Sequence, residues 1–461
     1  MLFNSLEFII FFPIVTLLYF IIPHKYRWIQ LLLASCIFYA ALIPAYLLIL
    51  LFLIIIDYSA GILIEKNKKK SWLIISIIAN LSLLFVFKYY NFFISNINEL
   101  TGNNMLLVKW ALPVGLSFHT FQSLSYTIEV YRGNQKAVKH FGYYALYVMF
   151  YPQLVAGPIE RPQHLFPQFF AKHKFSSQHL YEGLRLMAWG FFKKVVVADR
   201  LSDYVDFVYK DPAGHSGITI WVAAAFFSVQ IYADFSGYSD IASGAAKCMG
   251  FDLMINFNRP QLAKNIRDFW KRWHISLSSW FRDYFYIPLG GNRRGTAKKN
   301  ILILATFTLS GFWHGAGWTF IIWGMMHGVY VLLYDLTCRI APRINLPKFF
   351  GWLLTCFCVG FALIFFRAAS LHNAGEILWQ SLHFKKITLD QITAVGTYGN
   401  FSVLVVLIGI AYMFIVEKYT DPKLFVLNKK PLPDIFVFVF TIWIIIFFGV
   451  FHKTSFIYFQ F

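Results

Sequence analysis

Apolar residues run along this chain in blocks of fifteen to twenty-odd, separated by short clusters of lysine and arginine. A helix of about 20 apolar residues crosses about 30 Å of hydrocarbon. The blocks Phe3–Pro23, Trp72–Ile94, Ile218–Ala233, Thr319–Leu336, Phe349–Phe366, Phe401–Val416 and Ile435–Phe451 read as single spans. Trp28–Ile64 is too long for one crossing and carries Pro44 near its middle, so it predicts two short helices. The alternation of a membrane barrel strand does not recur, which leaves helices as the way to satisfy the backbone in lipid. The fold class is therefore all-α, a polytopic integral membrane protein. The opening MLFNSLEFIIFFPIVTLLYFIIP lacks a basic start and a small-residue cleavage site and reads as the first span.

From Leu106 the pattern breaks up. ALPVGLSFHTFQSLSYTIEVYRG places Pro113, Gly115, His119, Gln122 and Glu129 in an apolar setting. MFYPQLVAGPIERPQHLFPQF carries Pro152, Pro158, Pro162 and Pro167, a density that forbids one continuous helix. Irregular backbone is tolerated in a membrane only where protein buries it or it lines a cavity. Leu180–Asp199 reads as helical with Lys193, Lys194 and Asp199 near its end, and YADFSGYSD places Asp234 and Asp240 around Gly237. The longest polar insertion is Arg367–Gly399. One membrane domain over 1–461 is expected, with N-terminal spans to 100, a core over 101–340 and C-terminal spans from 341. No internal repeat is visible, which weakens an inverted-repeat transporter.

Composition sharpens the class. Of 461 residues, 58% are hydrophobic and only 14% charged, against about a quarter charged in soluble domains. The net charge of +19 would suit nucleic acid, but the cations sit in short loops such as Lys66–Lys70. That is the signature of a cytoplasmic face on anionic lipid, so the partner is membrane lipid and not nucleic acid. Two crossings between the basic turns return both to the cytoplasmic side. The cysteines, Cys36, Cys248, Cys338, Cys356 and Cys358, fit no zinc or redox spacing and read as inert thiols. Histidines and carboxylates show no metal-ligand spacing, and there is no phosphate loop and no G-x-S-x-G.

Chemistry concentrates in Asn265–Gly328. Ionisable groups at membrane depth are expensive and mark a site by default. On a helix over Asn265–Asp283, Arg267, Lys271, His274 and Ser278 fall on one polar stripe, with Trp270, Trp273, Leu277, Trp280 and Phe281 beside it. The loop Arg293, Arg294, Lys298, Lys299 is most simply a cytoplasmic anchor, and it would also attract an anionic, phosphate-bearing donor. Ser310–Gly317 is a small-residue break around Trp313 and His314. A buried neutral imidazole there suits taking a proton from a hydroxyl that attacks a thioester or ester. A packed histidine bonding a carbonyl across helices satisfies the same pattern. His274 and His314 lie on different elements, so only the fold can join them. On a continuous helix His314 and His327 would face about 220° apart.

RDFWKRWHISLSSWFRDYFYIPLGGNR, SGFWHGAGWTFIIWGMMHG, PVGLSFHTFQSLSYTIEVYRG, YPQLVAGPIERP, YADFSGYSDIA and the closing FIYFQF together resemble the membrane-bound O-acyltransferase family, in its bacterial alginate O-acetylation branch. The resemblance runs nearly end to end. It implies a bundle of roughly 11–17 long, short and re-entrant helices around a tunnel. It makes His314 the catalytic histidine and His274 the second active-site residue. Arg267, Lys271, Trp273, Ser278, Asp283 and Trp313 become expected substrate-binding residues, with the basic loop drawing in the donor. It also implies an acetyl group from acetyl-CoA as co-substrate, with no tightly bound cofactor. Passage outward across the bacterial cytoplasmic (inner) membrane would lead to a polysaccharide hydroxyl, through an SGNH-type periplasmic or surface partner. D-alanyl transfer to teichoic acid, a transporter or flippase, and a non-catalytic platform are the competing readings.

Overall fold

The computed structural model describes residues 1–154, 157–341, 347–384, 399–420, 431–451 and 456–457. Among these residues the regular structure is helical and no strand occurs. Six helices are long and apolar enough to cross a membrane: Tyr46–Asn67, Lys70–Thr101, Gly217–Cys248, Trp318–Ile340, Lys348–Arg367 and Ser402–Tyr419. The chain separates into two compact units, Met1–Met187 with Ser239–Met254, and Ala188–Tyr238 with Ile255–Phe461.

In the first unit, α1 (Leu6–Ile21), α2 (His24–Ala40), α3 (Tyr46–Asn67), α4 (Lys70–Leu84) and α5 (Tyr90–Thr101) follow the apolar blocks. Pro44 lies in the break between α2 and α3, as a residue without a backbone N–H requires. Asp57, fully buried on α3, accepts hydrogen bonds from Ser76 (2.6 Å) and Asn80 (2.9 Å) on α4. The stretch expected to be irregular begins with a regular helix, α6 (Leu116–Arg132), bounded by Gly115 and Gly133 at φ 77° each. Its hydroxyls and amides are buried against protein, which polarity along the sequence alone does not distinguish from a loop. The prolines then cut the chain into α7 (Phe141–Met149), α8 (Tyr151–Leu154) and α9 (Pro162–Phe170), as predicted.

The chain passes from the first unit to the second within α10 (Ser177–Phe191), which continues through a π-helical turn, Phe192–Ala198, into α11 (Asp199–Lys210). The turn carries Lys193 and Lys194, both buried. Lys194 Nζ lies 2.9 Å from Asp199 and 2.7 Å from Asp234, while Lys193 Nζ lies 3.5 Å from Glu417. The span expected to end at Ala233 continues as α12 (Gly217–Cys248). Gly237 is no break: a Cβ there would meet the Gly190 carbonyl at 2.8 Å, so glycine permits the close approach of two backbones. Beyond the central stretch come α15 (Gly295–His314), α16 (Trp318–Ile340), α17 (Lys348–Arg367) and α18 (Leu371–Ser381), with α13 and α14 defined below. Part of the Arg367–Gly399 insertion is thus helical; 385–398 lie outside the described residues. Of FIYFQF, Phe456 and Ile457 are described: the Ile457 N–H donates to Asp234 (2.8 Å) and Phe456 packs on Tyr238.

Candidate active site

All of the expected site residues fall in the second unit, but not on the expected helix. Asn265–Asp283 is two helices, α13 (Ile266–Trp270) and α14 (Ile275–Phe281), separated at His274. His274 sits at φ 42°, ψ 55°, a left-handed conformation that costs a non-glycine residue about 1–3 kcal/mol and persists only where its surroundings over-determine it. Asn256 supplies that determination. Its carbonyl accepts the Ile275 N–H (2.9 Å), and its side-chain Oδ1 accepts from Ser276 Oγ (2.9 Å) and lies 3.0 Å from His274 Nδ1. The predicted polar stripe is therefore dismantled. His274 turns wholly inward, Lys271 is exposed, Ser278 Oγ donates to the Trp273 carbonyl, and Arg267 pairs with Asp335.

The same contacts assign a tautomer. The Ser276 backbone N–H also points at Asn256 Oδ1 (3.4 Å), and an N–H can only donate, so that atom is the amide oxygen. His274 Nδ1 must then carry the proton, leaving Nε2 as the acceptor nitrogen. His274 lies outside the six crossing helices, and burial pushes its pKa down to about 3. It is neutral at any physiological pH.

His314 is the last residue of α15, 3% exposed. The expected break over Ser310–Gly317 shrinks to Gly315–Gly317, because Gly311 and Gly324 let α15 and α16 touch backbone to backbone; a Cβ on Gly324 would meet Gly311 Cα at 2.9 Å. The fold brings the two histidines together, with ring centroids 6.2 Å apart. Trp323 (5.1 Å) and Phe366 (5.7 Å) enclose His314, and Phe235 (4.7 Å) and Trp313 (6.4 Å) enclose His274. His327 is not on a separate face, since the helix is interrupted between it and His314. It packs against the same Trp323, at 5.0 Å.

The charged residues are placed differently. Arg267 and Lys299 (3.0 Å) share the Asp335 carboxylate, and Asp283 pairs with Arg282 (2.7 Å). Arg293, Arg294 and Lys298 are exposed. Trp273 is buried against Phe269 and Phe257. Sequence reasoning missed Asn256, Phe235, Trp323 and Phe366. Asn256 stands 18 residues before His274 in non-helical chain, and no spacing rule points to it. Among the described residues no group of histidines, cysteines and carboxylates is placed to hold a metal.

A two-histidine enclosure of this kind sits within residues 134–373, which match the family model "MBOAT, membrane-bound O-acyltransferase family". The chain belongs to the membrane-bound O-acyltransferase family. It is 37% identical to the peptidoglycan O-acetyltransferase of Helicobacter pylori, over 82% of this chain and 79% of the relative. It is 35% identical to the probable alginate O-acetylase AlgI of Pseudomonas putida, over 94% and 90%. The teichoic acid D-alanyltransferase of Bacillus subtilis is 30% identical over 48% of this chain and 58% of its own. Membership and six crossing helices make this family member a multi-pass integral membrane protein.

A pH profile tests the tautomer. Asn256→Asp places a carboxylate on Nδ1, which raises the pKa of His274. Wild-type activity is expected to show no ionisation of His274 from pH 5 to 8, whereas the variant is expected to lose activity as pH falls through the raised value. A variant profile superimposable on wild type would remove Asn256 from this role.

Proposed function

We propose that this protein is an O-acyltransferase that moves an acetyl group from cytoplasmic acetyl-CoA towards a polysaccharide hydroxyl outside the bacterial inner membrane, with an SGNH-type acyltransferase as the outer partner. The whole chain would act as one catalytic membrane domain. The observation that carries the reading is the pair His274 and His314, 6.2 Å apart in an aromatic enclosure, in a chain similar over most of its length to named O-acetyltransferases.

In the proposed step His314 takes the proton of the attacking hydroxyl. The new carbon–oxygen bond forms, the carbon–sulfur bond of the thioester breaks, and the proton passes to the departing thiolate. The end of a helix favours the imidazolium that forms there, by about 0.3–1 kcal/mol when exposed and up to ~2 when partly buried. His274, held through Nδ1 by Asn256, uses Nε2 to orient a donor group on the substrate or a bridging water. The exposed Arg293, Arg294 and Lys298 would attract the anionic donor. Similarity to the D-alanyltransferases covers only about half of either chain, which favours acetyl over D-alanyl.

The test is reconstitution with radiolabelled acetyl-CoA, cell-envelope acceptor and partner extract. Label should leave the donor and enter the acceptor. No transfer from acetyl-CoA, with transfer from a D-alanyl thioester, would replace the donor; transfer from neither would favour a transporter.

A further inference from the structure

The first unit holds a buried charge that the proposed reaction does not use. Asp57 stands at the middle of α3, a helix long and apolar enough to cross the membrane, and is fully buried. Ser76 Oγ (2.6 Å) and Asn80 Nδ2 (3.0 Å) donate to its Oδ1, and Asn80 Nδ2 (2.9 Å) donates to its Oδ2 as well. Donors on both oxygens are what an ionised carboxylate attracts, since it can only accept. Among the described residues no lysine, arginine or histidine pairs with it. A charge in apolar surroundings is ordinarily paired or coordinates a metal, and an ionisable group at membrane depth marks a site by default.

Three oxygens around this carboxylate are unsatisfied. Asn80 Oδ1 belongs to the amide that holds Asp57, Ser123 Oγ of α6 stands beside the carboxylate, and the Tyr144 hydroxyl of α7 stands beside both. All three side chains are buried, and none of these oxygens has a partner of hydrogen-bonding geometry among the described residues. A hydroxyl on a helix can bond back to its own turn, as Ser125 Oγ does to the Phe121 carbonyl (2.8 Å); Ser123 Oγ does not. Buried polar atoms are ordinarily satisfied. A hydroxyl can rotate to find an acceptor, but an amide oxygen only accepts, so Asn80 Oδ1 calls for a donor or a cation. The helices that supply these groups pack on one another, α3 against α4, α6 and α7, and α4 against α6.

We propose that Asp57, Asn80, Ser123 and Tyr144 bind a dehydrated alkali-metal cation inside the first unit. Oxygen donors without nitrogen or sulfur suit a hard cation. The single carboxylate sets its charge: a monovalent ion leaves the cluster neutral, whereas a divalent ion leaves a net positive charge in apolar surroundings. The ion supplies the counter-charge that no side chain provides, and it satisfies the orphaned oxygens of three helices besides α3. Its binding fastens α3, α4, α6 and α7 together, so the stability of the first unit depends on it. The site does not depend on the acyl-transfer reading.

The experiment is a thermal melt of the full-length protein in lipid nanodiscs, in NaCl, KCl or choline chloride at one ionic strength and one alkaline pH. Sodium or potassium should raise the melting temperature above that in choline by about 2–4 °C once the salt is about ten times the dissociation constant. Radioactive sodium, or rubidium in place of potassium, should bind to the same saturation of a single ion per chain above empty nanodiscs. Asp57→Asn keeps the shape of the side chain and removes its charge, and should abolish both the melting increment and the bound ion. Ser123→Ala removes one ligand and no charge; it should weaken binding about tenfold, and it carries the test where Asp57→Asn does not fold. Identical melting of wild type in all three salts, with no bound ion, would overturn the proposal and leave a proton on Asp57. An undiminished increment in folded Asp57→Asn would overturn it too, by placing the cation elsewhere.

Discussion

His314→Gln is expected to lower acetyl turnover by about 10²–10⁴-fold, the contribution of a positioned general base. Glutamine keeps a polar side chain inside the cage of Trp323 and Phe366 but cannot accept and release a proton near neutral pH. The loss should therefore appear in kcat, with the KM for acetyl-CoA little changed, because the exposed cations that attract the donor are untouched. A steady-state assay in proteoliposomes measures both constants. His327→Gln is the control: its ring is separated from His314 by Trp323, and turnover should fall by far less. If His314→Gln retained more than about a tenth of wild-type turnover, His314 would not be the base, and the packed-histidine explanation would take its place.

Lys194→Met should destabilise the protein by about 3–5 kcal/mol, the usual result of removing one partner from a buried ion pair. Lys194 lies between two carboxylates, Asp199 and Asp234, whose side chains are 3% and 4% exposed. Methionine matches the length of the stem but leaves two carboxylates facing each other away from water. The triple variant Lys194→Met, Asp199→Asn, Asp234→Asn removes the charges together and should recover much of the loss, since whole-network replacement is often neutral. The amide oxygen introduced by Asp234→Asn would still accept the Ile457 N–H. Melting temperatures in detergent decide the matter. A Lys194→Met protein as stable as wild type would mean that water reaches the cluster and screens it.

Much of this is legible without a fold. The spans follow from runs of apolar residues, because crossing hydrocarbon imposes a length and a composition that neighbours along the chain satisfy by themselves. Pro44, Pro158 and Pro162 stand in or at the edge of breaks for an equally local reason, the missing N–H, while Pro167 is accommodated inside α9. The region of the site is legible too, since charge and histidine inside an apolar chain stand out whatever the fold. The errors are of one kind. The pattern over 265–283 reads as one straight helix, because nothing in those residues tells that Asn256 holds His274 in a left-handed turn. Gly237 and Gly311 look like breaks and prove to be places where helices touch, a distinction that depends on Gly190 and Gly324. The irregular backbone expected around His119 is a regular helix, since buried hydroxyls and exposed ones read alike.

The sequence by itself determined that the chain is a helical membrane protein, and it singled out Asn265–Gly328 as the stretch that carries the candidate site. Those properties depend on solvent and on residues within a few turns of one another. Only the tertiary structure decided which imidazoles meet, which nitrogen of His274 carries the proton, and that Arg267 and Lys299 share Asp335. Those depend on contacts across 18 to 68 residues, where the direction of a side chain is set by packing against distant helices and not by its own neighbours.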